Sequence, residues 1–343
     1  MKALRWYSRQ DLRYEDVPEP SPGPGQVKLK IGYAGICGSD LREYTDGPHL
    51  IDPEKAPVIV GHEFAGTVVE VGKGVADLKA GDRVAGRCYW VCGECHFCKI
   101  GRYNLCLDKG LVGARVSGCM AEYLVAPRFT FLKLPDSVPN ELGVLVEPLS
   151  VSMHGVCQGK VGLGDKVAVV GDGTIGLCAL LAARAAGAAE VYVVAKHKNR
   201  GEMALAMGAT AVIDLKEGDP VQKMQKLTGG LGADVSLDCV GNADTPELSV
   251  GLIRPGGTAV LIGASDKPIP FQFHSLLMGE KTVVGSSTFI NEPAVAIALL
   301  ADKRIDPSRL VTAQVSLADA IENGFKRLLA NKEANLKILI KIS

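Results

Sequence analysis

Four cysteines follow one another as Cys92-x2-Cys95-x2-Cys98-x7-Cys106 inside a Gly-containing polar stretch. Thiolates at this spacing match a closed tetrahedral zinc site, which has no open position and needs no catalytic group. The site is expected to be structural, holding together a lobe near 88–110 that has little apolar core of its own. A second set of metal-competent residues is scattered: Cys37 in Gly35-Ile36-Cys37-Gly38-Ser39-Asp40, His62-Glu63 in Gly61-His62-Glu63-Phe64-Ala65-Gly66, and Glu147 in Val146-Glu147-Pro148-Leu149. Taken singly, Cys37 reads equally as a core thiol, His62 as a satisfied turn histidine and Glu147 as an acid at a helix N-terminus. Spacing alone leaves these readings open.

A third constellation points to a nucleotide. Val167-Ala168-Val169-Val170 runs straight into Gly171-Asp172-Gly173-Thr174-Ile175-Gly176, and an Ala/Leu-rich helix follows. A lone G-x-G-x-x-G is weak, but the order strand, glycines, helix makes it a dinucleotide fingerprint. Gly171 permits the tight turn, Gly173 lets the backbone approach a pyrophosphate, and Gly176 allows close helix–strand packing. The helix opening at Thr174 and Ile175 offers its unpaired N–H groups to the anion. The second strand of such a sheet normally ends on an acid that binds the ribose of NAD. Here it ends on Ala195, followed by Lys196-His197-Lys198-Asn199-Arg200. A small residue makes room for the extra 2′-phosphate of NADP, and Lys196, Lys198 and Arg200 can pair with it, so NADP is expected rather than NAD. The competing reading is a solvated basic loop.

These groups need a scaffold, and the chain alternates accordingly. The first half is β-rich, with short apolar strands at Val27 to Ile31, Gly66 to Val71, Asp82 to Ala85 and Tyr123 to Ala126, punctuated by Gly and Pro. From about Lys160 strands alternate with Ala- and Leu-rich helices, the pattern of a parallel sheet. Val167 to Val170, Val191 to Val194, Ala211 to Asp214, Val235 to Val240, Thr258 to Ile262 and Thr282 to Gly285 are its expected strands, enough for one doubly wound domain. Helical stretches near Pro293 to Ala301 and Leu317 to Ala330, and a strand from Leu336 to Ile342, form a tail too short to fold alone. That tail is expected to complete the N-terminal domain.

The glycine fingerprint, Gly-Ile-Cys-Gly-Ser-Asp, Gly-His-Glu-Phe-Ala-Gly, the four-cysteine lobe and Glu-Pro-Leu-Ser-Val together resemble the zinc-containing medium-chain dehydrogenase family over nearly the whole chain. Within that family the likeness is greatest to the butanediol, sorbitol and polyol dehydrogenases. The resemblance implies an α/β protein with a GroES-like β-rich catalytic domain over 1–150 and 288–343. It implies a Rossmann domain, a doubly wound parallel sheet, over 151–287, and a homodimer or homotetramer. It also implies a catalytic zinc held by Cys37, His62 and Glu63, with Glu147 bonded directly or through water. Such an ion would act as a Lewis acid on an alcohol oxygen, and hydride would pass from the carbinol carbon to the nicotinamide. Ser39 matches the family hydroxyl that takes the alcohol proton, and Asp40 is placed to orient His62. His49 and His154 carry no comparable role.

Two departures from the family pattern stand out. Relatives commonly carry His five residues after the zinc cysteine, where this chain has Arg42. Arginine does not deprotonate in proteins, so it is no general base there; it is either an anion ligand or a solvent-facing side chain. The Arg-Tyr pair with which sorbitol dehydrogenases contact a polyol chain is replaced by Ser287-Thr288-Phe289-Ile290, which favours short diols or hydroxyketones. The loop Gly113 to Met120 is expected to border the pocket.

Composition narrows the partners. In 343 residues, 38 Lys and Arg balance 38 Asp and Glu, so nothing draws the chain to nucleic acid or an anionic bilayer. The N-terminus Met1-Lys2-Ala3-Leu4-Arg5-Trp6 lacks an apolar signal region, no apolar run reaches bilayer length, and ten cysteines without a secretory signal suit a reducing compartment. A cytoplasmic enzyme acting on a small alcohol or ketone is expected. The alternatives are a polyol or sugar-phosphate dehydrogenase in which Arg42 or Arg115 grips an anionic group, and a non-catalytic nucleotide-binding protein.

Overall fold

Runs of Val, Ile and Ala set the strands of both halves of the molecule. The computed structural model describes residues 1–265, 268–269 and 271–343. The chain divides into two units, one of 1–147, 293–303 and 310–343 and the other of 148–292 and 304–309. The stretch 304–309 therefore belongs with the second unit, although its place in the sequence grouped it with the first.

In the first unit a seven-stranded sheet runs in the order Phe131–Lys133, Arg83–Gly86, Glu63–Val71, Gln26–Gly35, Lys337–Lys341, Val311–Ser316, with Tyr123–Pro127 also paired to Gln26–Gly35. Gln26–Gly35 is buried along nearly its whole length because it has a neighbour on each side. Its register sets Gly35 opposite Glu63 on one side and Leu339 on the other, so residues far apart in sequence meet at one strand end. The core beneath includes Phe64 and Phe131, packed edge to face with ring centres 6.2 Å apart. A helix over Leu317 to Ala330 was expected. Only Ala320 onward is helical, first as a π-helical stretch, Ala320–Lys326, and then as Arg327–Ala330.

The second unit holds a six-stranded parallel sheet in the order Ala211–Asp214, Glu190–Ala195, Lys166–Val170, Ala233–Asp238, Ile253–Leu261, Thr282–Gly285. The chain starts at a central strand, winds outward one way and then the other, and so reverses direction beside Lys166–Val170. Ligands of such sheets bind at that reversal, at the carboxyl ends of the strands. Gly171 lies at this end, directly after Lys166–Val170. Val167, Ala168, Val169 and Val170 are almost wholly buried, as expected for a strand covered on both faces. Among the described residues no helix is long and apolar enough to cross a membrane.

Candidate active site and metal centres

The cysteine lobe brings its four sulfurs into one cluster. Sγ–Sγ distances are 3.5 Å for Cys92–Cys106, 3.6 Å for Cys95–Cys98 and 3.9 Å for Cys92–Cys98. A tetrahedron with zinc–sulfur bonds of ~2.3 Å has edges of ~3.8 Å, so the donor set fits a zinc ion without rearrangement. The backbone prepares the site: the N–H of Cys92 points at the Cys106 sulfur, 3.4 Å away. Hydrogen bonds from the backbone at Leu107 and Cys98 pull the Cys95 thiol down to about 6, whereas burial pushes Cys98 up to about 12. Four sulfurs this close do not all ionise without a cation among them.

The scattered residues also converge, because the sheet register makes them do so. Cys37 caps the helix Gly38–Asp46, and its backbone N–H donates to Asp40 Oδ2 at 2.9 Å. Glu63 opens the neighbouring strand, with His62 just before it. The ligand atoms of Cys37, His62 and Glu63 all lie within 4.8 Å of one another. Gly35 leaves the room for this, since a side chain there would overlap the Glu63 carboxylate. One sulfur, one nitrogen and one oxygen donor form an open three-ligand set, the composition of a catalytic zinc site. Asp40 Oδ1 stands 3.7 Å from His62 Nδ1, and the ring also hydrogen-bonds to Cys37. Burial by itself would lower the His62 pKa, but the charges of Asp40 and then Cys37 outweigh it and raise the ring well above its ordinary value. The same neighbouring anions that favour a protonated ring would favour a metal cation beside it. Ser39 lies half-buried in the first turn of the same helix, and Arg42 lies one turn further on.

Glu147 stands outside the group whose ligand atoms meet. Its carboxylate is buried, accepts a hydrogen bond from the Cys88 thiol and senses His62 and Glu63; burial pushes it up to about 7. His154 is engaged elsewhere, with Nδ1 2.7 Å from Glu292 and Nε2 3.1 Å from the Gln158 amide, which leaves it a packing role. The backbone N–H groups of His49 and Leu50 both donate to the Glu43 carboxylate, at 3.0 and 2.9 Å. Phe289 is wholly buried.

The glycine loop has the form a dinucleotide requires. Gly171 sits at φ +111°, open space faces Gly173, and a side chain at Gly176 would overlap the Gly171 carbonyl. Ala195 is 3% exposed, and Lys196 and Lys198 extend into solvent.

Two alignable halves match known families. Residues 23–136 match the alcohol dehydrogenase GroES-like domain, and residues 174–302 match the zinc-binding dehydrogenase domain. The (R,R)-butanediol dehydrogenase of Bacillus subtilis (strain 168) is 36% identical over 99% of each chain. This chain belongs to the zinc-binding alcohol dehydrogenase family. A sorbitol dehydrogenase of Bacillus subtilis (strain 168) is 34% identical, covering 99% of this chain and 97% of its own. The crystal structure of a putative zinc-binding dehydrogenase from Sinorhizobium meliloti 1021 bound to NADP superposes with a TM-score of 0.91 at 32% identity, over 99% of this chain and 98% of that one.

Two members of this dehydrogenase's site are not evident from sequence motifs. Lys337 Nζ lies 2.7 Å from both Glu63 oxygens and 3.0 Å from the Ile36 carbonyl, with the pair 2% and 1% exposed. Its signal was a lone cation inside the apolar run Leu336-Lys337-Ile338-Leu339-Ile340. Asp172, between the first two fingerprint glycines, folds over the end of the second strand. It accepts the backbone N–H groups of Lys196 and His197 at 2.9 and 2.7 Å, and the His197 ring lies 3.0 Å away. Arg200 stands 3.8 Å from the same carboxylate. An acid is thus present beside Ala195, supplied by the glycine loop rather than by the strand.

Proposed function

We propose that this chain oxidises a secondary alcohol, a short diol or polyol, to the ketone or hydroxyketone, or runs the reverse reduction, with NADP(H) as hydride carrier. It is an oxidoreductase acting on CH–OH groups. The observation that carries the reading is the meeting of Cys37, His62 and Glu63 in an open donor set separate from the closed Cys92, Cys95, Cys98 and Cys106 cluster. A protein that only bound nucleotide would have no use for an open metal site.

In this proposal Cys37, His62 and Glu63 would hold a catalytic zinc, with Glu147 bonded to it directly or through water. A zinc ion held there would supply a Lewis acid that lowers the pKa of an alcohol. Ser39, in the first turn of the helix that Cys37 caps, accepts the alcohol proton. Asp40 fixes the Cys37 backbone and faces His62. Gly171, Gly173, Thr174, Ile175 and Gly176 cradle the pyrophosphate, while Ala195, Lys196, Lys198 and Arg200 bound the 2′-phosphate. Assembly as a homodimer or homotetramer and a cytoplasmic setting belong to the same proposal.

The cofactor preference is where the chain's own residues compete. Asp172 would repel a 2′-phosphate, but its oxygens are already taken by two backbone N–H groups and His197. Arg200 is shared with it, which leaves Lys196 and Lys198 as the main phosphate partners. Each charge-assisted contact contributes ~1.5–3 kcal/mol, roughly tenfold to a hundredfold in affinity. Steady-state kinetics of the purified protein on short diols, polyols and hydroxyketones should give turnover with a higher kcat/KM for NADP than for NAD, and Ala195→Glu should reverse that order. A wild-type preference for NAD would reduce Lys196, Lys198 and Arg200 to a solvated loop. Absence of turnover with either cofactor, together with about one zinc per chain rather than about two, would overturn the enzymatic reading.

A further inference from the structure

The turn that carries Lys196, Lys198 and Arg200 is poorly held by its own residues. Its near end is fixed by the sheet, where Ala195 pairs with Asp214 and the Ala195 carbonyl accepts the Leu215 N–H at 3.0 Å. Its far end opens the helix Lys198–Ala206, whose cap residue His197 makes no side-chain capping bond and whose first turn contains no acid. A helix start is usually served by a Ser, Thr, Asp or Asn side chain, and its dipole favours negative charge. Here Lys198 and Arg200 occupy the first turn instead, so two cations crowd the positive end of the dipole.

Asp172 supplies what this turn lacks, from a different element. It stands between Gly171 and Gly173 in the turn that leaves the first strand of the sheet, and it is 5% exposed. Its Oδ2 accepts the backbone N–H groups of Lys196 at 2.9 Å and of His197 at 2.7 Å. The His197 Nδ1 lies 3.0 and 3.1 Å from the two carboxylate oxygens, and the Arg200 guanidinium is 3.8 Å from Oδ1. Just before it, the Gly171 N–H donates to the Val194 carbonyl at 3.0 Å, so the first strand and the second are fastened at the same level. One carboxylate therefore ties together the two strand-to-helix turns that face the nucleotide, and it does so with negative charge at a helix start that has none. Lys196 and Lys198 remain exposed beside it, so the turn keeps its cationic character.

We propose that Asp172 is a positioning residue for the 2′-phosphate of NADP: it ties the Lys196 and His197 backbone to the glycine turn and so sets Lys196, Lys198 and Arg200 in place before the cofactor arrives. Discrimination between the two cofactors is then exercised from the glycine loop as well as from the strand-end residue Ala195. The inference rests on the NADP reading above and deepens it. Without the tie, the turn would have to be ordered at the moment of binding, and that cost would fall on the contacts to the 2′-phosphate. The pyrophosphate, cradled by the glycines, is common to NADPH and NADH and drops out of their ratio. A carboxylate acting only through its charge would do the reverse, since its removal would strengthen NADPH binding.

The test follows NADPH and NADH binding by nicotinamide fluorescence and compares the ratio of their dissociation constants between variants. Asp172→Ala should shift that ratio about tenfold toward NADH, the equivalent of one charge-assisted contact left unformed. Asp172→Asn keeps a side-chain oxygen for the two N–H groups and loses the charge, so it should shift the ratio the same way by less. General damage to the domain would weaken both cofactors alike, so a ratio that Asp172→Ala leaves unchanged overturns the proposal, as does one that moves toward NADPH. Should Asp172→Ala no longer bind NADH, its fold is lost and Asp172→Asn decides alone: a shift toward NADH supports the tie, and no shift or a shift toward NADPH overturns it. A wild type that oxidises no alcohol, or that binds NADH more tightly than NADPH, defeats the parent reading separately, because the change of ratio between variants needs neither turnover nor a particular starting preference. No NADPH binding in the wild type overturns both.

Discussion

Cys37→Ala is expected to eliminate alcohol turnover while leaving the fold and nucleotide binding in place, and Cys98→Ala is expected to do the opposite by unfolding its lobe. Both residues are cysteines near metal-competent neighbours, yet they stand in different physical situations. Cys37 is one of three donors in an open set whose surroundings are a fully formed sheet and helix. Removing it leaves those elements packed and takes away the ion's anchor, so the loss should exceed the ~10–100-fold that follows from losing an outer partner of a metal ligand. Cys98 is one of four sulfurs in a lobe whose regular structure consists of a four-residue helix, His96–Lys99, a short 3₁₀ turn, Tyr103–Leu105, and a two-stranded pair. Such a lobe has little else to hold it. Structural zinc contributes ~10–16 kcal/mol in small zinc-folded peptides, comparable to the whole stability of a domain. Metal analysis, far-ultraviolet dichroism and a thermal melt of each variant separate the cases: Cys37→Ala keeps about one zinc and its melting temperature, whereas Cys98→Ala loses the other zinc and melts early. The reverse pairing of phenotypes would sink the assignment of the two sites.

Lys337→Met should destabilise the first unit by ~3–5 kcal/mol, because it leaves the Glu63 carboxylate buried and without its ammonium partner. Both Glu63 oxygens are bonded to Lys337 Nζ and almost no solvent reaches either residue, so water cannot take the ammonium's place. Burial opposes charge on Lys337, but the fields of Glu63 and then Cys37 outweigh it and raise its pKa above the ordinary 10.5. The sign follows from that direction. A cation whose folded pKa is raised contributes stability fully below its unfolded value and loses it as pH climbs through the folded one. The wild type should therefore hold this increment throughout neutral pH and give it up only in strong alkali, and Lys337→Met should lack that alkaline loss. Denaturant titrations of both proteins at neutral and alkaline pH check this. A second measurement guards against a general packing defect: since a metal at Glu63 would offset part of the missing charge, stripping metal with a chelator should cost Lys337→Met more than it costs the wild type. Equal losses would mean that Lys337 packs without supporting the Glu63 charge.

The parts of this protein written in short spacings are legible in the amino-acid sequence alone. The four sulfurs span only Cys92 to Cys106, and the glycines span only Gly171 to Gly176, so the local chain can bring each set together with little help from elsewhere. The alternation of Val-rich strands with Ala-rich helices after Lys160 likewise announces a parallel sheet, because a strand buried on both faces must be apolar throughout. The Leu317 to Ala330 stretch misleads at its start: its apolar spacing suits a helix, but the hydrogen bonding that forms over Ala320–Lys326 is the wider π pattern.

What sequence could not settle were pairings made by register. Nothing local says that Gly35 stands between Glu63 and Leu339, yet that alignment brings Lys337 to Glu63 across 274 residues of chain and turns an odd lysine in an apolar strand into half of a buried ion pair. Nor does spacing show that Asp172 would fold onto the Lys196 and His197 backbone and so return an acid to the place where Ala195 had removed one. Trp90 and Lys109 are unremarkable along the chain, and it is the pairing of Tyr89–Trp90 with Gly110–Leu111 that brings them to one cavity. The physical reason is common to all three. The chemistry of a side chain is set by its own covalent structure and is readable as a letter, but its charge state and partner depend on what is desolvated beside it. That neighbour is chosen by long-range strand pairing, which no short window of sequence contains.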